Sequence, residues 1–189
     1  MLTAKKQKVA LWLAIAAIFP ATALLLRAEG RLWICACGKV LAWSGGVCSA
    51  DNSQHFLDPY SFTHLLHGVL FFWLIYWLAP KWNVTMQLLL ATAVEAAWEI
   101  LENTNFIIER YRTATAALGY NGDTVVNSLG DLLCCSAGFF IAQRLGLRRS
   151  LLLFAGVELL LIVWIHDSLL LEILMLITPI NAIKAWQMC

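Results

Sequence analysis

The sequence predicts an all-α membrane protein, a polytopic bundle of about six transmembrane helices. The chain of 189 residues is 61% hydrophobic and only 13% charged, with a mean hydropathy of +0.74. Soluble domains are about half apolar and about a quarter charged. Apolar segments recur along the chain, each near the ~20 residues that cross a ~30 Å hydrocarbon layer as a helix. They are residues 9–26, 61–79, 84–101, 124–143, 150–165 and 168–183, and we expect residues 1–189 to form one integral membrane domain.

The first and last of these segments need separate arguments. Lys5, Lys6 and Lys8 precede residues 9–26 in the manner of a signal peptide. That apolar run is longer than the about 7–15 residues of a signal-peptide core, and residues 28–30 form a poor cleavage site. We therefore expect an uncleaved first helix. The last two segments are short, which leaves a tilted or re-entrant hairpin open at that end of the chain.

The distribution of basic residues orients the bundle. Lysine and arginine favour the cytoplasmic side of short loops, and this rule places both ends of the chain in the cytoplasm. The residues expected on that side are Lys5, Lys6, Lys8, Lys81, Arg144, Arg148, Arg149 and Lys184. The two outer connections, residues 27–60 and 102–123, are long. Long connections in compact proteins are usually functional, so we expect the functional site to lie on the outer side of the membrane.

Polar residues form a stripe on each of the second, third and fourth predicted helices, in the outer half of the membrane. Neighbours within a stripe are three or four residues apart, so they share one helix face. The stripes are His64 with His67, then Glu95, Glu99 and Glu102, and then Asp123, Asn127 and Asp131. Because a charge at the bilayer centre costs about 3 kcal/mol on insertion scales, this convergence indicates a bound metal, proton or polar substrate.

The residue types favour a metal. Histidine and carboxylate side chains are accepted ligands of zinc, manganese and iron, and bundle proteins hold such ions between facing helices. The residues expected to hold a divalent metal, Zn, Mn or Fe, are His64, His67, Glu99 and Asp131. Their spacing matches neither the His-Glu-x-x-His signature nor the Glu-x-x-His pair of di-iron bundles. Each residue taken alone is also explained by a bond to a nearby arginine, a backbone carbonyl or water.

The same pattern predicts an intramembrane enzyme that faces the periplasm. Glu95 or Glu102 is the expected catalytic base, which takes a proton from water. Arg110 and Arg112 lie close above these residues and are expected to bind an anionic head group. The other residues expected to contact the substrate are His55, Asp58, Asp123 and Asn127. The implied reaction is hydrolysis or group transfer on a lipid or lipid-linked substrate.

A non-catalytic function is the alternative. Stripes of carboxylates and histidines also make proton and cation pathways, as in a transporter or channel-like element, and an assembly factor is a further alternative. Transporters tend to have inverted repeats and polar residues through the whole depth. Here the cytoplasmic half is bare except for Glu158 and Glu172, and no repeat is visible. The net charge of +1 and the lack of a recognisable binding motif argue against nucleic acid as a partner, and the oligomeric state is left open.

Three cysteines, Cys35, Cys37 and Cys48, lie in the first outer connection. A periplasmic environment is oxidising and favours disulfides. A Cys-x-Cys pair rarely closes on itself, so a bridge from Cys48 to Cys35 or Cys37 is the favoured arrangement. A metal-binding thiol pair and unpaired thiols are the alternatives.

Several motifs together resemble a known family. They are Cys35-x-Cys37-Gly38, Asp58-x-Tyr60-x-x-x-His64-x-x-His67-Gly68, Glu95-x-x-Trp98-Glu99-x-x-Glu102-Asn103 and Asn127-Ser128-x-Gly130-Asp131. Over nearly its whole length the chain looks like an uncharacterised family of bacterial inner-membrane proteins, a domain of unknown function. More distantly it is similar to the VanZ-like group of glycopeptide-resistance proteins. The resemblance implies a multi-pass protein of the bacterial inner (cell) membrane, and it implies no particular activity.

Overall fold

The computed structural model describes residues 3–117 and 119–188. Within these residues the chain forms helices joined by turns and loops, without a strand, which confirms the predicted all-α class. In chain order the helices are α1 (Ala4–Ala28), α2 (Ser61–Leu78), α3 (Val84–Glu102), α4 (Asn105–Ala114), α5 (Val125–Leu145), α6 (Leu147–Ile165), α7 (Leu169–Ile177) and α8 (Asn181–Gln187).

Four helices of the described chain, α1, α2, α3 and α5, are long and apolar enough to cross a membrane. Helices α6 and α7 form a pair bent by 73°, which is either one broken span or a re-entrant loop. The described residues therefore contain four candidate spans, or five if the bent pair is one span. The protein is a multi-pass membrane protein.

Helices α2 and α5 pack closely because glycine lies where their backbones meet. A Cβ atom on Gly68 would lie 1.9 Å from the carbonyl oxygen of Cys135, and one on Gly138 would lie 1.9 Å from that of Leu65. Small residues allow this kind of backbone approach between membrane helices. The contact sets the rotation of α2, and with it the direction of His67, the residue before Gly68.

The half of the bundle that lies away from the outer loops is mainly apolar. Its buried core includes Ile15, Val69, Phe72, Leu88 and Phe139, which come from α1, α2, α3 and α5. Apolar burial of this kind provides most of the packing energy that is available between helices in a membrane, through van der Waals contact. The polar stripes therefore end in an apolar core and do not continue to the other face.

The last predicted segment, residues 168–183, is not one crossing helix. His166 adopts a left-handed conformation with φ 56°, which ends α6. Helix α7 has only 9 residues, a length of about 13.5 Å. In α8, Nζ of Lys184 donates to the carbonyl oxygen of Thr113 at 2.6 Å, and the ring of Trp186 lies 4.8 Å from that of His166. Helix α8 thus lies at the end of the bundle formed by the outer loops, whereas the expected placement had Lys184 and both chain ends on the opposite side.

The two outer loops pack over the ends of the spans. The second loop contains α4, a helix that was not predicted, and the side chain of Thr104 caps its start. In the first loop, the carbonyl oxygen of Ser53 accepts from the N–H of Thr124 at 3.1 Å, and that of Leu32 accepts from Val125 at 2.8 Å. These bonds satisfy N–H groups that have no partner within the first turn of α5, and they hold the first loop over the polar stripes.

Candidate functional site

Two imidazoles share one carboxylate at the centre of the site. Nδ1 of His64 lies 2.6 Å from Oε1 of Glu95, and Nδ1 of His67 lies 3.0 Å from Oε2 of Glu95. An ionised carboxylate only accepts, so the proton in each contact lies on Nδ1, and in a neutral imidazole Nε2 then keeps a lone pair. Metal-binding histidines are commonly oriented in this way, by a carboxylate on the ring nitrogen that faces away from the metal.

Glu99 lies one turn further along α3 and has no hydrogen-bond partner among the described residues, although both of its oxygens are buried. Its Oε1 atom is 3.2 Å from Nδ1 of His64. The contact of the same nitrogen with Glu95 is shorter, at 2.6 Å. A buried, unpaired carboxylate carries a desolvation cost of several kcal/mol. A cation, a proton or a water molecule at this position would offset that cost.

Asp131 and Glu102 extend the same cluster. Oδ2 of Asp131 lies 4.0 Å from Nε2 of His64. Each metal–nitrogen or metal–oxygen bond is about 2.0–2.2 Å long, so atoms at this separation suit two ligands of one cation. Within the described residues, Oδ1 of Asp131 and Oε2 of Glu102 are buried without a hydrogen-bond partner. His64 thus lies close to four of the predicted carboxylates, Glu95, Glu99, Glu102 and Asp131, and His67 joins the cluster through Glu95.

Two groups of these side chains have the spacing of a metal site. In each group, one ligand atom from every residue lies within 4.8 Å of the others. The groups are His64 with His67 and Glu95, and His64 with Glu99 and Glu102. Glu95 and Glu102, which were predicted as bases, are therefore also positioned to bind a cation. The bound metal itself stays a prediction.

A third group with metal-site spacing lies in the first outer loop and includes two cysteines, Cys35 and Cys37. These cysteines form a disulfide with each other. The favoured bridge from Cys48 to one of them is therefore not formed, and the expectation that a Cys-x-Cys pair would not close on itself is wrong. Within the disulfide neither sulfur is a thiolate, which is the form that binds metal.

His55, the imidazole of that third group, also has its nitrogens engaged. Nδ1 accepts from the backbone N–H of Leu41 at 3.3 Å. The proton of a neutral ring is then on Nε2, which lies 3.7 Å from Oδ1 of Asp51. His55 is buried and is not among the residues that line the cavity described below. Its position therefore indicates a role in the loop and gives no support to the expected contact with substrate.

Asp58 caps the start of α2. Its carboxylate accepts from the backbone N–H groups of Ser53 at 3.0 Å, Tyr60 at 2.8 Å and Ser61 at 3.3 Å, and from Nδ2 of Asn127 at 3.4 Å. Burial, with a neighbouring carboxylate, raises the pKa of Asp58, and the N–H groups of Tyr60 and Ser53 lower it. Asp58 and Asn127 were both expected to contact the substrate. Asn127 lines the cavity described below, whereas Asp58 is not among the lining residues and binds backbone N–H groups at the start of α2.

Asp123 is held by a reciprocal pair of hydrogen bonds with Asn103. Nδ2 of Asn103 donates to Oδ2 of Asp123 at 2.9 Å, and the N–H of Asp123 donates to Oδ1 of Asn103 at 2.7 Å. The hydroxyl of Tyr120 donates to the other carboxylate oxygen at 3.0 Å. Burial raises the pKa of Asp123, and these side-chain donors lower it. The expected substrate contact Asp123 does line the cavity, and Asn103 is a positioning residue that was not predicted.

Arg110 and Arg112 bind carbonyl oxygens of the protein. Nε of Arg110 donates to Leu176 at 2.8 Å and Nη2 to Ile177 at 3.3 Å. Nε of Arg112 donates to Tyr120 at 2.5 Å. Neither arginine is among the residues that line the cavity. They join α4 to the end of α7 and to the second outer loop, and their position gives no support to the expected head-group contact.

A cavity of about 970 Å³ lies beside the histidine–carboxylate cluster, below the outer loops. Residues of the predicted site form part of its wall. They are His64, His67, Glu102, Asp123, Asn127 and Asp131. The cavity therefore joins the predicted ligands to predicted substrate contacts in one space.

Further polar residues also line the cavity. They include Tyr60, Tyr111, Tyr120, Asp167, Glu172 and Gln187. Burial raises the pKa of Asp167 to about 7, although the N–H of Ser168 and the side chains of Tyr60 and Gln187 lower it. Asp167, Glu172 and Gln187 follow α6 in the chain, and they reach the cavity only because the chain turns back there. The three tyrosines could have been predicted from the sequence, since each lies beside a polar motif in an outer loop.

Comparison with known proteins assigns the chain to a family. The family model described as "Protein of unknown function (DUF2585)" matches residues 26–189. The chain belongs to the DUF2585 family. The part that matches DUF2585 contains α2 to α8 and every residue that lines the cavity.

Relatives of this DUF2585 protein are bacterial. A UPF0314 protein of Rhizobium meliloti is 43% identical over 97% of the chain and 93% of the relative. UPF0314 proteins of Sinorhizobium fredii, 48% identical over 84% of the chain and 80% of the relative, and Sphingopyxis alaskensis, 44% identical over 93% and 94%, are also similar. No solved structure matches the chain. The expected membership in an uncharacterised bacterial membrane-protein family is confirmed, and the VanZ-like similarity stays a prediction.

Proposed function

We propose that this protein is a metal-dependent hydrolase or transferase of the bacterial inner membrane, with a periplasm-facing site for a lipid or lipid-linked substrate. The observation that carries the proposal is the buried carboxylate of Glu99, which lacks a hydrogen-bond partner among the described residues and belongs with His64 and Glu102 to a group with metal-site spacing. A divalent cation would neutralise this carboxylate and Asp131, and would offset their desolvation cost.

The residues have distinct roles in this proposal. The cation ligands are His64, His67, Glu99 and Asp131, a mixed nitrogen and oxygen set that suits zinc, manganese or iron. Glu95 accepts from Nδ1 of both imidazoles, so its role is to orient them. Glu102 lines the cavity with a buried oxygen that has no partner in the described chain. Glu102 is therefore the general base.

The proposed reaction transfers an ester-linked group to water or to an alcohol. Glu102 takes the proton of the attacking O–H group while that oxygen forms a bond to the electrophilic centre. The bond to the leaving oxygen then breaks, and the leaving oxygen receives the proton from Glu102. A divalent cation would supply Lewis-acid polarisation at this centre.

The periplasmic orientation rests on basic residues at the other end of the bundle. Lys5, Lys6 and Lys8 precede α1, and Arg148 and Arg149 begin α6, both far from the outer loops. Positive residues of this kind favour the cytoplasmic side. The outer loops and the cavity then face the periplasm, where lipid and lipid-linked substrates of the outer leaflet are within reach.

A proton or cation pathway is the competing function. Such a pathway needs polar groups or water through the whole depth of the membrane. Below the site, Val69, Phe72, Leu88 and Phe139 form a buried apolar core. A cavity that ends in such a core favours chemistry at one face over conduction between two faces.

Elemental analysis of protein purified in detergent without chelators tests the proposal. We expect about one or two divalent ions per chain, and loss of the ions in the double variant His64→Ala/His67→Ala, because imidazole ligands supply much of the affinity. The matched control is His166→Ala, which removes an exposed imidazole outside the cluster and should leave the metal content unchanged. Glu102→Gln should also retain the metal, as expected of a base. Wild-type protein without metal, or a double variant that retains the metal, would contradict the proposal.

A further inference from the structure

An apolar arm of the cavity reaches the membrane-facing surface of the bundle. Leu70 of α2, Val94 of α3 and Ile173 of α7 line the cavity, and their side chains are also 42%, 41% and 44% exposed. Trp98 and Leu176 line the same space. Leu70 and Val94 lie on the candidate spans α2 and α3, where exposed apolar side chains face hydrocarbon. The arm therefore opens sideways to the lipid, between α2, α3 and α7, and it suits an acyl chain.

The polar end of the cavity is acidic. The carboxylate residues that line it are Glu102, Asp123, Asp131, Asp167 and Glu172. Among the described lining residues there is no lysine or arginine, and the nearby Arg110 and Arg112 bind backbone carbonyls. An anionic head group would be repelled by these carboxylates, whereas a positively charged group would be attracted.

Acceptors outnumber donors at the part of this polar end that is formed by α7 and α8. The carboxylate residue Glu172 lies in the first turn of α7 and lines the cavity. Oε1 of Gln187 is buried without a partner there, and its orientation is set because Nε2 donates to Oδ1 of Asp167 at 2.8 Å. The other oxygen of Asp167 lies 3.4 Å from the hydroxyl of Tyr60. A ligand that only donates would satisfy this set, and an ammonium group has three donors and no acceptor.

We propose that the cavity takes up a membrane lipid with an amine-bearing head group through its lateral opening. The acyl chain lies along Leu70, Val94 and Ile173, and the ammonium group lies between Asp167 and Glu172. This inference deepens the proposed function, on which it rests for the reaction, because it places the ester linkages of the lipid between the ammonium group and the chain. The uptake itself is a binding event and is tested without turnover.

Binding of defined lipids to the purified protein in dodecyl maltoside micelles tests the inference. The probes are dioleoyl phosphatidylethanolamine, dioleoyl phosphatidylglycerol with the same chains, and water-soluble phosphoethanolamine, each followed by the shift in melting temperature. We expect phosphatidylethanolamine to bind about tenfold more tightly than phosphatidylglycerol, since a charge-assisted hydrogen bond is lost in the second lipid. Phosphoethanolamine alone should not bind, because it lacks the chains.

Two variants with matched controls locate the binding. Glu172→Gln should remove most of the preference for phosphatidylethanolamine, and Glu109→Gln, at an exposed position of α4, should keep it. Ile173→Trp should block the arm and weaken both lipids, and Leu152→Trp, on the exposed face of α6, should not. Equal binding of the two lipids, an intact preference in Glu172→Gln, or binding of phosphoethanolamine as tight as that of the lipid would overturn the inference. The wild-type comparison of the two lipids decides the question even if a variant fails to fold.

The metal content of the same samples separates this inference from the proposed function. Wild-type protein that prefers phosphatidylethanolamine but contains no metal would contradict the metal-dependent enzyme and would support the lipid site. Protein that contains metal but does not distinguish the two lipids would contradict the lipid inference and leave the metal centre in place.

Discussion

Asn103 and Asp123 hydrogen-bond to each other in both directions, at 2.9 and 2.7 Å, and so join the end of α3 to the start of α5. We expect Asn103→Ala to lower the stability of the protein by about 2–3 kcal/mol, because it leaves a buried carboxylate oxygen and a backbone N–H without partners. Thermal unfolding in detergent measures the effect. Asn105→Ala, at an exposed position two residues later, is the control and should change little. Equal melting temperatures for both variants would contradict the structural role of Asn103.

The close approach of α2 and α5 predicts an asymmetry between two glycines. Gly68→Ala should destabilise the bundle by about 1–3 kcal/mol, because overpacking forces the backbones apart where a Cβ atom would meet the carbonyl oxygen of Cys135 at 1.9 Å. Gly156→Ala in α6 meets nothing within 4 Å and should be neutral or slightly stabilising, since alanine is the better helix former. The two melting temperatures are compared in one detergent. A Gly68→Ala protein as stable as Gly156→Ala would show that the two helices are not in such close contact.

The buried carboxyl group of Asp167 predicts a pH dependence of stability. Its pKa is raised by burial from 3.8 to about 7, so the contribution of this group to stability is fully present below pH ~3.8 and is lost as the pH rises through ~7. Asp167→Asn removes the titration, and its melting temperature relative to wild type should increase between pH 5 and pH 8. Glu109→Gln, an exposed substitution, should show a constant difference from wild type. A pH-independent difference for Asp167→Asn would contradict the raised pKa.

The return of the chain after α6 predicts that the two ends of the chain lie on opposite sides of the membrane. With the lysines before α1 in the cytoplasm, α8 is periplasmic, because Lys184 bonds to Thr113 in the second outer loop. An alkaline phosphatase fused after the last residue should then be active. A fluorescent protein that folds only in the cytoplasm, fused at the same position, should be non-fluorescent. The same reporters placed in the turn between α5 and α6, near Gly146, should give the reverse result. A fluorescent C-terminal fusion would contradict this placement and would support the sixth membrane span predicted from the sequence.

Much of the candidate site was predictable because the α-helix has a fixed period. Residues at i, i+3, i+4 and i+7 share a face wherever a helix forms, so His64 and His67 on α2, and Glu95 and Glu99 on α3, had to form stripes. The cost of unpaired charge in a membrane then made convergence of the stripes the expected outcome. The structure brings these side chains together, with His64 and Glu95 as the closest pair at 2.6 Å.

The C-terminal region was predicted less well because hydropathy measures only composition. Residues 168–183 are apolar enough for a span, but Ser168 caps a new helix and Thr178 ends it after 9 residues. The chain from residue 168 onward therefore lies at one end of the bundle, and contributes Glu172 and Gln187 to a cavity in which neither had a predicted part. The misplacement of Lys184 follows from the same cause.

The sequence by itself determined that this chain is an all-α membrane protein and that its histidines and carboxylates meet at one depth, because both conclusions depend on composition and on spacing within single helices. Only the tertiary structure decided how the roles divide within that cluster. Glu95 accepts from two imidazoles located 28 and 31 residues away along the chain, whereas Glu99, one turn further, has no such partner in the described residues. The physical reason is that a hydrogen bond depends on the rotation and separation of neighbouring helices, which the backbone contact at Gly68 sets, and the spacing of residues along one helix does not contain that information.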